Sequence, residues 1–289
     1  GSRHPERWLD RLVEAVREGR LGGLENGVWL ADSGSTGHAT TGGEATITTK
    51  AGGYGDEAAV PASMALVPAP PAAGSAGFAL DEQVSREARA LRGTPRFAQA
   101  TGDAELGFPA GANQFSCAAD IDVDAVKTPA LYRLLERSRI DASAATKAAK
   151  NQYQRPRPFM VNGEPTCTPA YEAGPRKNGS YPSGHTSIGW AWALILSEIA
   201  PDRADAIQAR GRNYGESRLV CNVHWQSDIL EGRFMGAAAV ARLHDNAAFN
   251  KDLLAARKEI ADARKAGLHS SRDCAAEEAV LKVRPESAL

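Results

Sequence analysis

The segment SGHTSIGWAWALILSEI, residues 183–199, is the part of the sequence that most strongly indicates the fold. Its apolar run, residues 188–196, is too short to cross a membrane. Ser183 directly follows Pro182 and occupies the position expected of a helix N-cap. The segment therefore predicts a helix whose free N–H groups and positive dipole end favour an anion.

Helical periodicity extends from this segment over most of the chain. From about Leu80 onward, apolar residues return every three or four positions, as on amphipathic helices. The predicted helices span residues 81–91, 129–139, 142–153, 183–199, 203–216, 225–244 and 250–266. The expected fold class is all-α, a helical bundle.

Two regions depart from this pattern. Residues 1–75 are rich in Gly, Thr, Ser and Pro, which predicts an irregular N-terminal arm with a strand-like stretch at 44–49, followed by a helical domain at 76–289. Prolines at positions 156, 158, 165, 169 and 175 predict a long non-helical connection over residues 154–182. Gly1-Ser2 resembles a cloning remnant, so we expect an export signal to have been removed.

Charge is balanced over the 289 residues, with 34 Lys plus Arg against 35 Asp plus Glu. This balance gives no global positive field, so nucleic acid is not an expected partner. The sequence contains no run of 18 apolar residues, and no membrane span is predicted. A charged substrate would therefore need a local cluster of opposite charge.

Four cysteines occur, at positions 117, 167, 221 and 274, and none has CxxC spacing. A zinc site is therefore not expected. An even number of widely spaced cysteines fits two disulfides in an oxidising compartment, with three possible connectivities. Four buried free thiols are the alternative. Cys117 with Cys167 is the pairing we favour.

The segment KNQYQRPRP, residues 150–158, is the first of three clusters of chemically active residues. Arg157 lies between two prolines, which restrict the local backbone. A rigidly held guanidinium suits bidentate binding of phosphate, and Lys150 adds a point charge. Taken alone, basic residues such as Lys150, Arg155 and Arg157 more often form a solvated basic face.

The second cluster is the run GSYPSGHT, residues 179–186. Ser183 and Gly184 begin the predicted helix, and glycine lets a ligand approach the backbone closely. His185 would then lie in the first helical turn, beside a bound anion. An ordinary helix start capped by Ser183 is the simpler interpretation.

The third cluster contains Ser217-Arg218 and, further on, HWQSD at residues 224–228. His224 and Asp228 are four residues apart, so on a helix they share a face. A carboxylate bound to one ring nitrogen leaves the lone pair of the other nitrogen free to attack. A purely structural His–Asp pair is the alternative, and Arg218 could flank the same pocket.

Together the three clusters resemble the three-part motif of the type 2 phosphatidic acid phosphatase (PAP2) superfamily. The order is Lys-x6-Arg-Pro, then Pro-Ser-Gly-His, then Ser-Arg-x5-His-x3-Asp. Within that superfamily, the run at 179–186 and its flanks are similar to bacterial class A non-specific acid phosphatases. The resemblance covers roughly residues 80–266 and implies a helical bundle of the PAP2 kind, whereas residues 1–75 match nothing familiar in the family.

The resemblance also implies a role for each matching residue. His224 would be the nucleophile that forms a phosphohistidine, Asp228 would orient it, and His185 would be the general acid and base. The phosphoryl oxygens would be bound by Lys150, Arg157, Ser183, Gly184 and Arg218. These fixed cations could replace metal ions, so neither a metal nor another cofactor is expected.

The expected function is metal-independent hydrolysis of phosphomonoesters at acid pH. The expected substrates are small molecules, nucleotides among them. Transfer of phosphate to an alcohol is the expected side activity. The resemblance further implies a periplasmic or secreted homo-oligomer. Two alternatives stay open: a vanadate-dependent haloperoxidase, which shares the motif, and a lipid phosphate phosphatase, whose relatives usually embed helices in the bilayer. A phosphate-binding protein without turnover is the non-enzymatic alternative.

Overall fold

The computed structural model describes residues 24–25, 28–29, 52–55 and 60–289, and it divides the chain into two compact units, residues 1–50 and Ala51–Leu289. In the first unit, strand β1 (Leu24–Glu25) pairs antiparallel with β2 (Val28–Trp29), with Leu24 opposite Trp29. The strand-like stretch at 44–49 lies outside the described residues. The predicted arm boundary at residue 75 stays a prediction.

The second unit is built of helices. They are α1 (Ser63–Leu66), α2 (Ala76–Arg89), α3 (Pro95–Gly102), α4 (Ser116–Ala119), α5 (Pro129–Ala144), α6 (Lys147–Tyr153), α7 (Pro158–Asn162), α8 (Gly184–Ile199), α9 (Ala204–Val220), α10 (Gln226–Leu243), α11 (Ala247–Lys265) and α12 (Cys274–Leu281). Short 3-10 turns lie at Ala112–Phe115, Pro169–Tyr171, Pro175–Lys177 and Pro201–Arg203. The all-α expectation is confirmed for this unit.

Helix α8 is the centre of the bundle. It packs against α5, α9 and α10, and α11 packs against α5. Its side chains are buried except along one narrow stripe formed by Trp190, Leu194 and Glu198, which is typical of a central helix. Trp192, for example, is fully buried and donates its indole N–H to Leu135 O over 3.0 Å. Because α8 begins at Gly184, the bundle holds its N-terminal end in a fixed position.

Two glycines allow α10 to approach α8 closely. A Cβ on Gly232 would lie 2.6 Å from Ser183 O, and one on Gly236 would lie 2.5 Å from Ser187 O. Only residues without a side chain fit at these two positions, which are one helical turn apart. The close approach places the start of α10, and His224 two residues before it, beside the N-terminus of α8.

The seven predicted helices of the bundle are all present with shifted ends, but the connection 154–182 is not free of helix as predicted. It contains α7 and two 3-10 turns. Each of these begins with a proline, Pro158, Pro169 or Pro175, at its first position. Proline suits that position because its fixed φ is helical and no N–H is needed there. Helices α1, α3, α4 and α12 are likewise absent from the predicted set.

The favoured disulfide, Cys117 with Cys167, is wrong. The bonds are Cys117–Cys274 and Cys167–Cys221, and no cysteine is free. Cys167 lies beside the end of α9, where its backbone N–H donates to Cys221 O over 3.3 Å. The connectivity therefore follows from loop placement, which cysteine spacing does not encode.

No helix in the described part of the chain combines the length and the apolar character that a membrane span requires. The described residues between 52 and 75 pack on the bundle, since Tyr54 and Val67 belong to the buried core. The Tyr54 hydroxyl donates to Asp252 on α11 over 2.7 Å.

Candidate active site

Three backbone hydrogen bonds join the three sequence clusters in pairs. Ser180 N donates to Arg155 O over 2.9 Å, which joins the first cluster to the second. Ser183 N donates to Asp228 O over 2.9 Å, which joins the second to the third. Phe159 N, just after the first cluster, donates to Asn222 O over 3.1 Å, just before His224. Segments far apart in sequence therefore meet at the N-terminus of α8.

His224 lies just before α10 rather than on it. Asp228 is the third residue of α10, and its Oδ2 accepts from Trp225 N over 2.8 Å, which caps the helix. The same Oδ2 lies 3.2 Å from His224 Nδ1. The predicted pairing is therefore present, with the first turn of α10 holding the carboxylate against the ring.

The other ring nitrogen of His224 fixes its tautomer. Nε2 lies 3.0 Å from Arg157 Nη1, and a guanidinium can only donate. Nε2 must therefore accept, so the ring proton is on Nδ1 and is donated to Asp228. The lone pair of Nε2 points toward the cation, where the phosphorus of a bound phosphate ester would lie.

Arg157 is held on all sides. Its backbone is extended, and Nε donates to Pro175 O over 3.0 Å and Nη2 to Asn178 Oδ1 over 2.5 Å. Burial lowers the pKa of Arg157 to about 10, although the negative charge of Asp228 acts to raise it. The guanidinium is thus a fixed positive charge beside His224.

Arg218, on α9, is buried with two nitrogens, Nε and Nη1, that have no hydrogen-bond partner among the described residues. Burial lowers its pKa to about 10. A buried cation without partners is costly, and an anion that accepts its hydrogen bonds removes that cost. Arg218 is therefore a second donor toward a bound anion.

Lys150 is the third cation, at the end of α6. Its Nζ donates to Gly179 O over 2.9 Å, and its Cε lies 3.5 Å from the Cβ position of Gly184. Burial, and then the charge of Arg157, hold its pKa well below the ordinary value. A group of buried cations beside a helix N-terminus is an arrangement suited to phosphate.

Ser183 is the N-cap of α8, as predicted. Its Oγ accepts from Thr186 N over 3.2 Å and from Thr186 Oγ1 over 2.9 Å. With its oxygen used as an acceptor, its own hydroxyl proton is available to donate to a ligand. The N–H groups of Gly184 and His185, in the first turn, point the same way.

His185 is oriented by a backbone carbonyl. Its Nε2 lies 2.6 Å from Asp103 O, which can only accept, so Nε2 carries a proton and Nδ1 is the exchangeable nitrogen. Tyr214 stacks on the ring, with centroids 4.9 Å apart. Burial, and then the charge of Arg218, hold the pKa of His185 well below its ordinary value.

The same forces act on His224. Burial is the largest, followed by the charges of Arg157, Lys150 and Arg218, and together they hold its pKa well below the ordinary value. A lowered pKa favours the neutral ring, the form in which a ring nitrogen keeps a lone pair. All eight sequence-predicted site residues thus lie together around the N-terminus of α8.

Sequence reasoning missed the residues that support this site. Asp103 is held by Arg210 through bonds of 2.5 and 3.2 Å, and Asp81 is bound to Arg155 over 2.6 Å. Tyr214 belongs to the same set. Arg155 lies in the first cluster, but its spacing did not separate it from Arg157, since residues i and i+2 on extended backbone point to the same side. Asp81 and Asp103 carried no usable signal, since their partners are 74 and 107 residues away.

Within the described residues, no three His, Cys, Asp or Glu side chains gather as a metal site would require.

Comparison with known proteins gives matches over the same region. Residues 139–251 match the PAP2 superfamily. The chain is 44% identical over 204 residues to a non-specific acid phosphatase of Providencia stuartii, covering 70% of this chain and 82% of that protein. It is 42% identical to an acid phosphatase of Zymomonas mobilis, with 68% and 74% covered, and 38% identical to a non-specific acid phosphatase of Salmonella typhimurium, with 69% and 80% covered.

Proposed function

The chain belongs to the bacterial class A acid phosphatases of the PAP2 superfamily, and from this membership we propose that it hydrolyses phosphomonoesters through a phosphohistidine at Nε2 of His224. The observation that carries the mechanism is the position of the His224 ring. Asp228 holds Nδ1, and Arg157 faces Nε2. A neutral imidazole whose Nε2 lone pair is directed at a cationic cradle is arranged to attack phosphorus.

In the first step, Nε2 of His224 bonds to phosphorus and the bond from phosphorus to the ester oxygen breaks. The leaving oxygen takes a proton from Nδ1 of His185. Positive charge develops on the His224 ring, and Asp228 stabilises it through Nδ1. Arg157, Arg218 and Lys150 stabilise the negative charge on the phosphoryl oxygens.

In the second step, the now neutral Nδ1 of His185 takes a proton from water. The water oxygen bonds to phosphorus, the nitrogen–phosphorus bond breaks, and phosphate leaves with His224 restored. An alcohol in place of water would give transfer to a new ester, the side activity expected from the sequence. The three cations perform the charge neutralisation that metal ions provide elsewhere, which supports turnover without a metal.

Acid pH suits both histidines. The lowered pKa of His224 favours its neutral form, and the negative charge of a bound phosphate ester would raise the pKa of His185 and favour its protonated form. We further propose that the chain works in an oxidising compartment, periplasmic or extracellular, since its four cysteines form two disulfides. Homo-oligomers and nucleotide substrates stay predictions.

The test is release of p-nitrophenol from p-nitrophenyl phosphate between pH 4 and 8 in excess chelator, with and without orthovanadate. We expect activity at acid pH that survives chelation and falls with vanadate. Radiolabelled substrate quenched in alkaline detergent should leave acid-labile phosphate on the protein. The His224→Ala variant should lose both signals, whereas the control His244→Ala, an exposed residue paired with Glu198, should keep them.

Three outcomes would count against this mechanism. Full activity of His224→Ala excludes His224 as the nucleophile. Loss of activity in chelator, restored by a divalent cation, excludes metal independence. No phosphatase activity, together with bromide oxidation after vanadate addition, would assign the chain to the haloperoxidases instead.

A further inference from the structure

A buried chain of charged groups extends from His224 away from the anion site. Asp228 Oδ1 accepts from Arg155 Nη1 over 2.7 Å, and Arg155 Nη2 donates to Asp81 Oδ2 over 2.6 Å. Asp81, on α2, also accepts from Ser227 N over 2.7 Å. Side chains of Asp81, Arg155 and Asp228 are 1%, 6% and 0% exposed.

Arg155 is not part of the anion-binding cradle. Its Nη1 is bound by Asp228 and by Ser227 Oγ, and its Nη2 is bound by Asp81, so its guanidinium lies behind Asp228, on the Nδ1 side of His224. Arg157, two residues on, faces Nε2 of His224. The two arginines therefore act on opposite nitrogens of the same ring, Arg157 directly and Arg155 through Asp228.

The charges in this chain do not cancel. One guanidinium lies between two carboxylates, so Asp81, Arg155 and Asp228 together carry one net negative charge. If Asp81 were absent, Arg155 would neutralise Asp228 and leave nothing to balance the charge that develops on His224. With Asp81 present, the guanidinium fixes the position of Asp228 while a net negative charge remains on the Nδ1 side of the ring.

We propose that Asp81 and Arg155 are positioning residues that fix Asp228 and set the net negative charge facing His224. The inference rests on the proposed role of His224 as nucleophile. It adds to the reaction a carboxylate from α2, a helix outside the three motifs and outside residues 139–251.

A test must leave the charged and titratable groups around His224 unsubstituted. They are Asp228 on α10, Arg157 and Lys150 from the first cluster, Arg218 on α9 and His185 on α8. None of these is altered by substitutions at 81 or 155. Any change in the protonation of His224 therefore reports the altered charge behind Asp228.

The experiment compares Asp81→Asn, Arg155→Gln and the double variant by the pH dependence of kcat/KM for p-nitrophenyl phosphate. The acid limb of this profile, the fall in kcat/KM as the pH decreases, reports protonation of His224 in the free enzyme. Arg155→Gln removes a positive charge, so the limb should move to higher pH by about one unit. Asp81→Asn removes a negative charge, so the limb should move to lower pH, by less because Asp81 is more distant. The double variant keeps one net negative charge and should return close to the parent.

Loss of structure alone cannot give this pattern, because damage to packing does not reverse sign between two members of one ion pair. Vanadate inhibition should persist in all three variants, since the cradle is intact. Asp252→Asn, a buried carboxylate bound to Arg133 away from the site, is the matched control and should leave the limb unmoved. If Arg155→Gln does not fold, Arg155→Lys keeps the positive charge and should leave the limb close to the parent, while Asp81→Asn should still move it to lower pH.

The inference would be overturned if the acid limb stayed at the parent's pH in both single variants, or if it moved in the same direction in both. Failure of the proposed function itself would be visible separately, as full activity of His224→Ala or as absence of trapped phosphate in the parent enzyme. Shifts of opposite sign in the two single variants, with a return to the parent pH profile in the double variant, support both the inference and the proposed function.

Discussion

The ring of Tyr214 stacks on the ring of His185, with 4.9 Å between their centroids and 20° between their planes. Space for Tyr214 is provided by Gly189, one turn after His185 on α8, where a Cβ would lie 2.2 Å from the Tyr214 ring. The Tyr214 hydroxyl is buried and has no hydrogen-bond partner among the described residues. The contact is therefore made by the ring face, which fixes the plane of His185.

Tyr214→Leu is expected to lower kcat/KM for alkyl phosphates by about tenfold, because kcat/KM reports the first step, in which a displaced His185 loses alignment with the leaving oxygen. The loss should be smaller for p-nitrophenyl phosphate, whose leaving group needs little protonation. Steady-state rates with both substrates measure the difference. Tyr214→Phe is the control, and it should match the parent because it keeps the ring. Equal losses with both substrates would contradict a role in orienting His185.

Arg218→Met should make the protein more stable in phosphate-free buffer, by about 1 kcal/mol, while abolishing activity. The two unpartnered nitrogens of Arg218 are a desolvation cost that methionine, of similar length, does not carry. Thermal unfolding with and without phosphate is the measurement. Phosphate should raise the Tm of the parent and have little effect on the variant. A variant less stable than the parent in phosphate-free buffer would show that Arg218 has compensating contacts.

Stability should depend on pH through the two buried histidines. Both have folded-state pKa values lowered mainly by burial, so below the ordinary value of about 6.5 the unfolded chain binds protons that the folded protein does not. The free energy of unfolding therefore falls as pH drops below about 6.5, by up to about 1.4 kcal/mol per pH unit for each histidine. Denaturant titrations of the parent and of His185→Gln/His224→Gln measure this slope.

The double variant should lose stability less steeply than the parent between pH 6.5 and pH 5. Phosphate should reduce the parent's slope, because its negative charge raises both pKa values and lets the folded protein bind protons. Calorimetry of phosphate binding in buffers of different ionisation enthalpy should then show proton uptake near pH 6. Proton release, or identical slopes in both proteins, would contradict the assignment of both histidines as neutral.

The two disulfides should differ in what they protect. Removing either by Cys→Ser substitution of both partners should lower the free energy of unfolding by about 2–5 kcal/mol. Cys167–Cys221 joins the loop that contains Pro175 and Asn178, both acceptors of Arg157, to the residue three before His224. Its loss should also raise KM about tenfold, since the cradle loosens. Removal of Cys117–Cys274, which anchors α12, should leave KM unchanged when measured at a temperature where both variants are folded.

The core of the site could be predicted because its chemistry is local in sequence. Ser183-Gly184-His185 starts a helix in the sequence and in the structure, and the four-residue spacing of His224 and Asp228 brings them into contact. Residues bound across the bundle could not be predicted. Asp81 and Asp103 are ordinary carboxylates in their own segments, and only the packing of α2 and α3 against α9 and α10 gives them partners.

The errors have two origins. Proline density in 154–182 correctly indicated an interrupted chain, but three of the prolines begin short helical turns, a local role that proline also permits. Cysteine spacing indicated that disulfides form but not which cysteines pair, because pairing depends on which loops α9 and α12 bring together. Contacts within one motif could thus be predicted, whereas contacts between distant segments could not.

Asp81 lies on α2, before residues 139–251, yet it is bonded to Arg155 inside the region that carries all three motifs. The recognisable motif and the complete charge arrangement are therefore not the same unit. Grafting the three motifs onto another helical scaffold would transfer the reacting atoms but not the carboxylate of Asp81, which lies outside all three motifs. Designers who move this chemistry to a new bundle must supply that acid from a helix of their own, positioned to reach the far side of Arg155.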